Sequence, residues 1–306
     1  MGVLTVSHNV AEMDRLKQKL SDISDYIPAD QPIAYLDLPI HLNVGDLLIN
    51  AGTEQFLHDY RLPVDLRLSV KNYKRFLHRI TPRHTILLHG GGNFGDIWPA
   101  HEAMREHLLQ KFRANRIVML PQTVHFRDEK NIDRSLAKYR ELENCTIFVR
   151  DEVSRQFLTR RLGRPVLLSP DMAHQLWKCN SAWSMRSLGT SEMRFLRRDR
   201  ESTGTALAGS VDWDDLISPR RRLSAAPAYA LIKYSFDFKV QQAALALWYK
   251  QRDAIIGFAR SRFLEYETIT TNRLHAMILA KLLGKRVSML DNSYGKLSSY
   301  AGAWFH

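Results

Sequence analysis

Cysteine is scarce in this chain of 306 residues, which contains only Cys145 and Cys179. Neither belongs to a Cys-x-x-Cys motif or a Cys/His cluster, so the sequence supports neither a disulfide framework nor a structural zinc site. The acidic residues do not form a compact motif of metal-ligand spacing either. We therefore expect a protein of a reducing compartment that needs no metal or other cofactor, while a divalent ion that accompanies a substrate stays open.

Long apolar runs are also missing, since no segment approaches the ~18 apolar residues of a membrane-spanning helix. The first residues lack a basic stretch followed by an apolar one, because Glu12, Asp14 and Arg15 come early. These absences predict a cytoplasmic protein that is neither exported by a signal peptide nor integral to a membrane. Repeats and low-complexity tracts are absent, and 45% hydrophobic with 25% charged residues is typical of a folded globular protein.

Acidic residues are outnumbered, with 32 Asp and Glu against 44 Lys and Arg, which gives a net charge of +12. Such a surplus favours anionic partners, namely phosphorylated substrates, membrane surfaces or nucleic acid. Charge alone does not choose among them. The sequence contains no nucleic-acid recognition motif and no strand pattern of aromatic and basic residues, so a non-catalytic nucleic-acid binder is the third and weakest alternative.

Short apolar runs alternate with amphipathic helical stretches, which is the pattern of βαβ units and predicts an α/β protein with doubly wound parallel sheets. The length favours two Rossmann-like domains, 1–180 and 181–306, that face a cleft, with a linker over 172–192. Strands are predicted at 32–38, 85–88, 117–120, 146–149, 166–168, 193–196, 268–271 and 286–290. Helices are predicted at 47–60, from 99 onward, and at 132–143, 152–162, 240–263 and 276–283.

A glycine-rich segment, His89-Gly90-Gly91-Gly92-Asn93, follows the predicted strand at 85–88. It is neither a Walker loop nor a dinucleotide fingerprint, because the required lysine and the Gly-x-Gly-x-x-Gly spacing are absent. It is either a tight turn or a loop that lines the cleft with His89, Gly91, Gly92 and Asn93. Asp46, before a predicted helix, is either an N-cap or a cleft residue.

The segment Thr271-Asn272-Arg273-Leu274-His275 places an arginine and a histidine at a predicted helix start, capped by Thr271 or Asn272. Free N–H groups, the helix dipole and the guanidinium would converge there on one anion. A histidine at such a position can exchange a proton with a reacting ligand. The alternative is a solvated arginine beside a structural histidine.

Further arginines follow predicted strands, where open α/β sheets present ligand contacts. Arg150 comes after the strand at 146–149 and either contacts a ligand or pairs with the adjacent Asp151 or Glu152. Arg197 and Arg198 end the first strand of the second half and are candidates to hold phosphate. The basic run 220–222 is placed in a loop-like stretch and is interpreted as a solvated face, or more weakly as a membrane contact.

These segments together resemble the polysaccharide pyruvyl transferase family. The segments that carry the resemblance are NVGDLLINAGTEQFL, ILLHGGGNFGDIW, VMLPQTVHF, FVRDEVSRQFL, LSPDMAH, FLRRDRES, TTNRLHAMILAKLLGKRV and LDNSYGKLSSY. The resemblance implies two Rossmann-like domains of the GT-B type and transfer of pyruvate from phosphoenolpyruvate. The product would be a pyruvate ketal on two hydroxyls of a hexose in a bacterial exopolysaccharide or its lipid-linked repeat unit.

The resemblance also implies a donor site formed by Arg150, Arg273, Leu274 and His275. For the chemistry it implies, we hypothesise that His275 supplies or relays the proton and that the two arginines bind the carboxylate and phosphate. On the acceptor side, His89, Asn93 and Asp46 are candidates. The competing hypothesis is a sugar-nucleotide-dependent glycosyltransferase of the same fold. Association with the inner face of the plasma membrane through anionic lipid stays open.

Overall fold

A computed structural model describes residues 4–6, 10–183, 191–198, 209–290 and 296–305. Parts of the predicted linker and of the segments FLRRDRES and LDNSYGKLSSY lie outside the described residues. The described chain is a mixed α/β protein with mostly parallel sheets.

The helices and strands follow one another along the chain. The strands are β1 (Leu4–Val6), β2 (Ile33–Leu36), β3 (Val64–Leu68), β4 (Thr85–Leu88), β5 (Gly91–Gly95), β6 (Ile117–His125), β7 (Cys145–Val149), β8 (Leu167–Leu168), β9 (Glu192–Phe195), β10 (Thr268–Thr271) and β11 (Arg286–Met289). The α-helices are α1 (Val10–Lys19), α2 (Val44–Asp59), α3 (Tyr73–Phe76), α4 (Pro99–Lys111), α5 (Glu129–Arg140), α6 (Glu152–Leu162), α7 (Trp213–Leu216), α8 (Pro219–Tyr234), α9 (Phe238–Leu264), α10 (Leu274–Leu282) and α11 (Lys296–Trp304). The 3-10 helices span Leu20–Tyr26, Leu77–Arg79, Met172–Leu176 and Ser181–Trp183.

The first sheet has seven strands in the order β3-β2-β4-β6-β7-β8, with β5 also paired to β6, and all its pairs are parallel. The order reverses between β2 and β4, so the carboxyl ends of these strands form the crevice where open α/β sheets bind ligands. The second sheet has the order β1-β11-β10-β9, parallel except for β1 against β11. The chain therefore contributes its first described strand to the second sheet, whereas the predicted 1–180 domain groups it with the first.

One hydrophobic core runs through both sheets. Tyr35 and Phe148 of the first sheet belong to the same cluster of buried side chains as Phe195 and Ile269 of the second. The other face of the first sheet has its own core, which includes Ile86 and Ile147.

Several predicted elements are confirmed, and others differ for physical reasons. The strands at 85–88 and 268–271 and the helix at 152–162 have the predicted bounds. The glycine-rich segment is not a simple loop, because Gly91–Gly95 pairs irregularly with β6. The basic run 220–222 lies in α8 rather than in a loop, since Pro219 occupies the first turn and the Ser218 side chain caps it.

The segment Met172–Leu176, predicted as part of a linker, is a buried 3-10 helix packed on α2. The contact depends on Gly52 in α2, because a Cβ added there would lie 2.0 Å from the carbonyl oxygen of Met172. Only glycine lets the two backbones approach so closely.

We expect Gly52→Ala to lower the free energy of unfolding by roughly 1–3 kcal/mol, because the backbone of Met172 must move to accommodate the methyl group. Gly257→Ala is the matched control, since Gly257 lies within α9 and a Cβ there would meet nothing within 4 Å. That change should raise the free energy of unfolding by roughly 0.5–1 kcal/mol. Urea unfolding of both variants measures the difference, and equal effects would contradict the close approach.

Candidate active site

The carboxyl ends of both sheets meet at one cleft of about 80 Å³. In the second sheet, Thr271 of β10 is in register with Phe195 of β9. Arg273 and Arg197 each follow two residues later, so parallel pairing brings them to the same edge. The Asn272 side chain fixes this arrangement, because its Oδ1 accepts a hydrogen bond of 2.7 Å from the Arg197 backbone N–H.

Arg150 and His275 are joined by a buried carboxylate, that of Asp171. Arg150, 1% exposed after β7, donates from Nη1 to Asp171 Oδ2 over 2.6 Å. The His275 Nε2 atom lies 3.3 Å from the same oxygen and 3.3 Å from Arg150 Nη1. Arg150 Nε donates to Thr123 Oγ1 over 2.8 Å. Arg150 therefore pairs with Asp171, and not with Asp151 or Glu152 beside it in sequence.

Asp171 is held as an anion. Burial by itself would raise the pKa of this carboxyl, but the charges of His275 and Arg150 and the hydrogen bonds from His275 and the Ala173 backbone outweigh burial, so the pKa lies well below its ordinary value. The Asp171 N–H donates to the Tyr300 hydroxyl over 3.0 Å, which ties the carboxylate to α11. Asp171 thus holds His275, Arg150 and the start of the 3-10 helix Met172–Leu176 in place.

Arg273 occupies the N-cap position of α10, where Thr271 or Asn272 was predicted. The Thr271 hydroxyl accepts from the Arg273 backbone N–H over 3.0 Å. The Arg273 guanidinium forms a two-point ion pair with Asp212, with Nε to Oδ1 at 2.5 Å and Nη2 to Oδ2 at 2.6 Å. This pairing fixes the plane of the guanidinium at the cleft wall.

The His275 ring lies against the backbone of Gly45 in α2. A Cβ added at Gly45 would lie 2.4 Å from His275 Nδ1, so the ring position requires glycine there. Asn43 is the N-cap of α2, because its side chain accepts from the Gly45 N–H. The alternative of Asp46 as the N-cap is therefore wrong, and its carboxylate, in the first turn, lines the cleft.

The structure brings most of the predicted site residues together. Those that line the cleft are Asp46, Gly92, Asn93, Arg150, Arg197, Arg273, Leu274 and His275. His89 and Gly91 lie behind its wall: His89 is 2% exposed, and a Cβ at Gly91 would lie 3.6 Å from Asp46 Oδ1. Arg198 points away and pairs with Asp215 on the surface over 2.7 Å.

A buried ionic cluster supports the glycine-rich segment from behind. Arg105 of α4 has no exposed surface and donates to the Asn93 carbonyl oxygen and to Glu102. Asp37, after β2, lies 3.5 Å from Arg105 and 2.6 Å from His101. The cluster therefore fixes the position of the Asn93 backbone at the cleft wall.

A larger groove of about 850 Å³ opens from the cleft, and its lining is mainly apolar. The two share Asn43, Asp46, Asn93, Trp98, Trp213 and Arg273. Aromatic side chains line the groove, among them Tyr229 and the half-exposed Trp98. Broad aromatic faces with a few polar groups suit a ligand that is itself amphipathic, such as a sugar ring.

Sequence reasoning missed the residues that hold the predicted ones in place. Asp171 and Asp212 pair with the arginines, and Arg105 supports Asn93. Asp171 lies in the quoted segment LSPDMAH, but its partners are 21 and 104 residues away in sequence. No local pattern signals such a pairing.

Two further findings concern what the described part of the chain lacks. Across residues 4–6, 10–183, 191–198, 209–290 and 296–305, no group of three or more His, Cys, Asp or Glu side chains could hold a metal ion. Within the same ranges, no helix combines the length and apolar character needed to cross a bilayer.

Comparison with known proteins gives a consistent family. Residues 43–237 match the family model for polysaccharide pyruvyl transferase. The chain is 34% identical over 301 residues to the Bacillus subtilis protein named "Putative pyruvyl transferase EpsO", covering 95% of this chain and 91% of that protein. It is 25% identical over 293 residues to "Pyruvyl transferase 1" of Schizosaccharomyces pombe, covering 92% and 71%.

A solved structure shares the fold. The crystal structure of an uncharacterized Klebsiella pneumoniae protein superposes with a TM-score of 0.61 at 18% identity, covering 94% of this chain and 93% of that one. At this identity the likeness shows the fold alone.

The buried histidine behind the cleft predicts a pH-dependent stability. His89 accepts or donates one hydrogen bond with the Tyr35 hydroxyl at 2.6 Å, and burial lowers its pKa to about 4. The unfolded chain takes up this proton near pH 6.5, so the folded state loses stability as the pH falls from about 6.5 towards 4.

We expect His89→Gln to reduce the stability lost between pH 7 and pH 5 by roughly 2 kcal/mol relative to the unmodified protein. Urea unfolding at both pH values measures this loss. The unmodified protein, unfolded in parallel under the same conditions, gives the reference pH dependence. An identical pH dependence in His89→Gln would contradict the neutral buried histidine.

Proposed function

Because the chain belongs to the polysaccharide pyruvyl transferase family and is therefore a transferase, we propose that it moves pyruvate from phosphoenolpyruvate onto two hydroxyls of a hexose. The acceptor is part of a bacterial exopolysaccharide or its lipid-linked repeat unit, and the product is a pyruvate ketal. The observation that carries the proposal is the cluster of Arg150, Asp171 and His275 where the two sheets meet.

The donor half of the cleft suits a small, highly charged anion. Phosphoenolpyruvate carries a carboxylate and a phosphate, and the guanidinium groups of Arg150 and Arg273, which Asp171 and Asp212 hold in place, attract both groups to the cleft by their positive charge. Arg197 lies beside them at the same sheet edge. The first N–H groups of α10 add the positive end of a helix dipole.

His275 is positioned for proton transfer. The methylene carbon of phosphoenolpyruvate is electron-rich, and its central carbon becomes electrophilic only when the methylene is protonated. His275 supplies that proton, while Asp171 and the Gly45 backbone fix the ring. The arginines stabilise the negative charge on the departing phosphate.

The remaining steps balance without an oxidant or reductant. One sugar hydroxyl bonds to the central carbon and releases its proton, and the carbon–oxygen bond to phosphate breaks. The second hydroxyl then bonds to the same carbon and releases a second proton. One proton replaces the one given to the methylene and the other leaves with hydrogen phosphate. Asp46 is the carboxylate at the cleft that faces the acceptor side and accepts from a sugar hydroxyl.

The acceptor sugar binds in the apolar groove next to this cleft. Trp98 and Trp213 line both spaces, so a ring stacked there would present hydroxyls to the donor. We propose further that the two sheets belong to two Rossmann-like domains of the GT-B type, that the enzyme is cytoplasmic, and that it has no resident cofactor.

The test measures phosphate release from phosphoenolpyruvate with and without a lipid-linked oligosaccharide extract from a polysaccharide-producing bacterium. Release that depends on the extract, with a product heavier by one pyruvate ketal, supports the proposal. Parallel samples with EDTA test for a divalent ion, and UDP- and GDP-sugars test the glycosyltransferase alternative. Calorimetry that detects no binding of phosphoenolpyruvate would reject the proposal.

Arg150→Lys should lower kcat/KM for phosphoenolpyruvate by roughly 10²–10³, because lysine keeps the charge but loses the planar set of donors. The matched control is Arg198→Lys, whose guanidinium pairs with Asp215 outside the cleft. We expect that variant to retain the unmodified kcat/KM. Thermal unfolding confirms that both variants are folded, and equal losses in both would remove Arg150 from the donor site.

Trp98→Ala should raise the KM for the saccharide acceptor roughly tenfold, because a broad stacking surface is lost. Its KM for phosphoenolpyruvate should not change, since the donor contacts come from the arginines. Initial rates with each substrate varied in turn separate the two constants. A rise in the phosphoenolpyruvate KM alone would place Trp98 on the donor side instead.

A further inference from the structure

The helix α8 exposes an apolar face directly opposite its buried one. Its inward residues are Ala225, Ala228 and Ile232. At 100° per residue, Leu223, Pro227, Ala230 and Tyr234 fall within an arc of about 60° on the other side. Leu223 is 75% exposed and Tyr234 64% exposed. In a helix that only covers a core, this side would be polar.

The exposed apolar surface continues beyond the end of the helix. Phe236, in the turn between α8 and α9, is 80% exposed. Among the described residues, eight large hydrophobic side chains are exposed, and four of them, Leu223, Leu231, Tyr234 and Phe236, lie within this stretch of 14 residues. Together with Pro227 and Ala230 they form what we call the α8 face. Such a concentration marks an interaction surface rather than scattered exposure.

Basic residues outnumber acidic ones around the α8 face, although Arg222 pairs with Asp214 over 3.0 Å and the exposed Asp237 follows Phe236. The helix contains Arg220, Arg221, Arg222 and Lys233 and no acidic residue. From the neighbouring α3, Arg75 lies 5.2 Å from the centre of the Phe236 ring, and its guanidinium donates to the carbonyl oxygens of Ile232 and Lys233 at the end of α8. Basic groups that flank exposed aromatic rings are complementary to an anionic bilayer, where rings enter the interface and cations meet headgroups.

The same helix also lines the groove assigned to the acceptor. Ala225, Ala226 and Tyr229 of α8 form part of the wall of the groove. A bilayer against the α8 face would therefore lie beside this groove. If the acceptor is lipid-linked, which rests on the proposed function, its sugar would reach the groove while its lipid stays in the membrane.

We infer that the α8 face docks the protein onto a bilayer rich in anionic lipid. Exposed aromatic and leucine side chains enter the interface, and Arg220 and Lys233 bind the headgroups, whereas Arg221 contacts α9 and Arg222 pairs with Asp214. The docking residues lie on one helix and the turn after it, and none of them belongs to the donor site in the cleft.

The experiment is flotation of the full chain with vesicles of phosphatidylcholine alone or with about 30% phosphatidylglycerol. The unmodified protein should float with the anionic vesicles and not with the neutral ones. Tyr234→Ser combined with Phe236→Ser should weaken the partition coefficient roughly tenfold, because two rings no longer enter the interface. Arg220→Gln combined with Lys233→Gln should weaken it roughly tenfold as well.

Val153→Ser is the matched control, because Val153 is also an exposed apolar residue, with 66% of its surface exposed. It lies on α6, which leads into β8, whereas α8 contacts α3, which follows β3 at the other edge of the first sheet. It should float as the unmodified protein does. Equal flotation of all variants, or none with anionic vesicles, would overturn the inference. So would a dimer in sedimentation without vesicles that the Tyr234 and Phe236 changes abolish, because the face would then bind a second copy.

The outcome is separable from that of the proposed reaction. Turnover on a soluble saccharide should be the same in the surface variants as in the unmodified protein, because none of the substituted residues lines the cleft or groove. Flotation without pyruvyl transfer would support the docking surface and reject the proposed reaction. Pyruvyl transfer without flotation would support the reaction and reject the docking surface.

Discussion

The buried carboxylate of Asp171 connects the two halves of the molecule. It binds Arg150 from the first sheet and His275 from the first turn of α10, next to the second sheet. A buried anion is costly unless its partners are in place, and removing one partner from a buried pair typically costs about 3–5 kcal/mol. The residues proposed to bind and protonate the donor are therefore also those that fix how the two sheets meet, so the site and the fold are stabilised by the same interaction.

Helix α2 shows how the backbone satisfies this constraint. Gly45 and Gly52 are seven residues apart, about two helical turns, and so lie on the same side of the helix. Gly45 contacts the His275 ring, and Gly52 contacts the backbone of Met172 and Ala173, just after Asp171. Helix α2 thus packs against the ion cluster at two places, beside His275 and just after Asp171, and at each place the contact is made by a glycine. A larger residue at either glycine would move His275 or Asp171 and so weaken the charged contacts between them.

The limits of sequence reasoning follow from which interactions are local. The strand at 268–271 and the helix at 152–162 were predictable from short apolar runs and an Asp cap. Arg150 and His275 were predictable as cleft residues because the carboxyl ends of parallel strands converge. The carboxylate of Asp171 was not, since its partner His275 is 104 residues away. Helix α8 escaped because its outer face is apolar, which removes the alternation of polar and apolar residues that indicates a helix.

The unequal size of the two connected spaces bears on the kind of acceptor. The charged cleft is much the smaller space, about 80 Å³ against about 850 Å³ for the adjoining groove, which exceeds what one hexose ring would fill. Arg150, Arg197 and His275 line only the cleft, whereas the lining of the groove is mainly apolar and includes Tyr229. A monosaccharide would leave most of this apolar surface in contact with water, which is unfavourable. An oligosaccharide covers more of it, so the shape of the groove favours a repeat unit or polymer over a free sugar as the proposed acceptor.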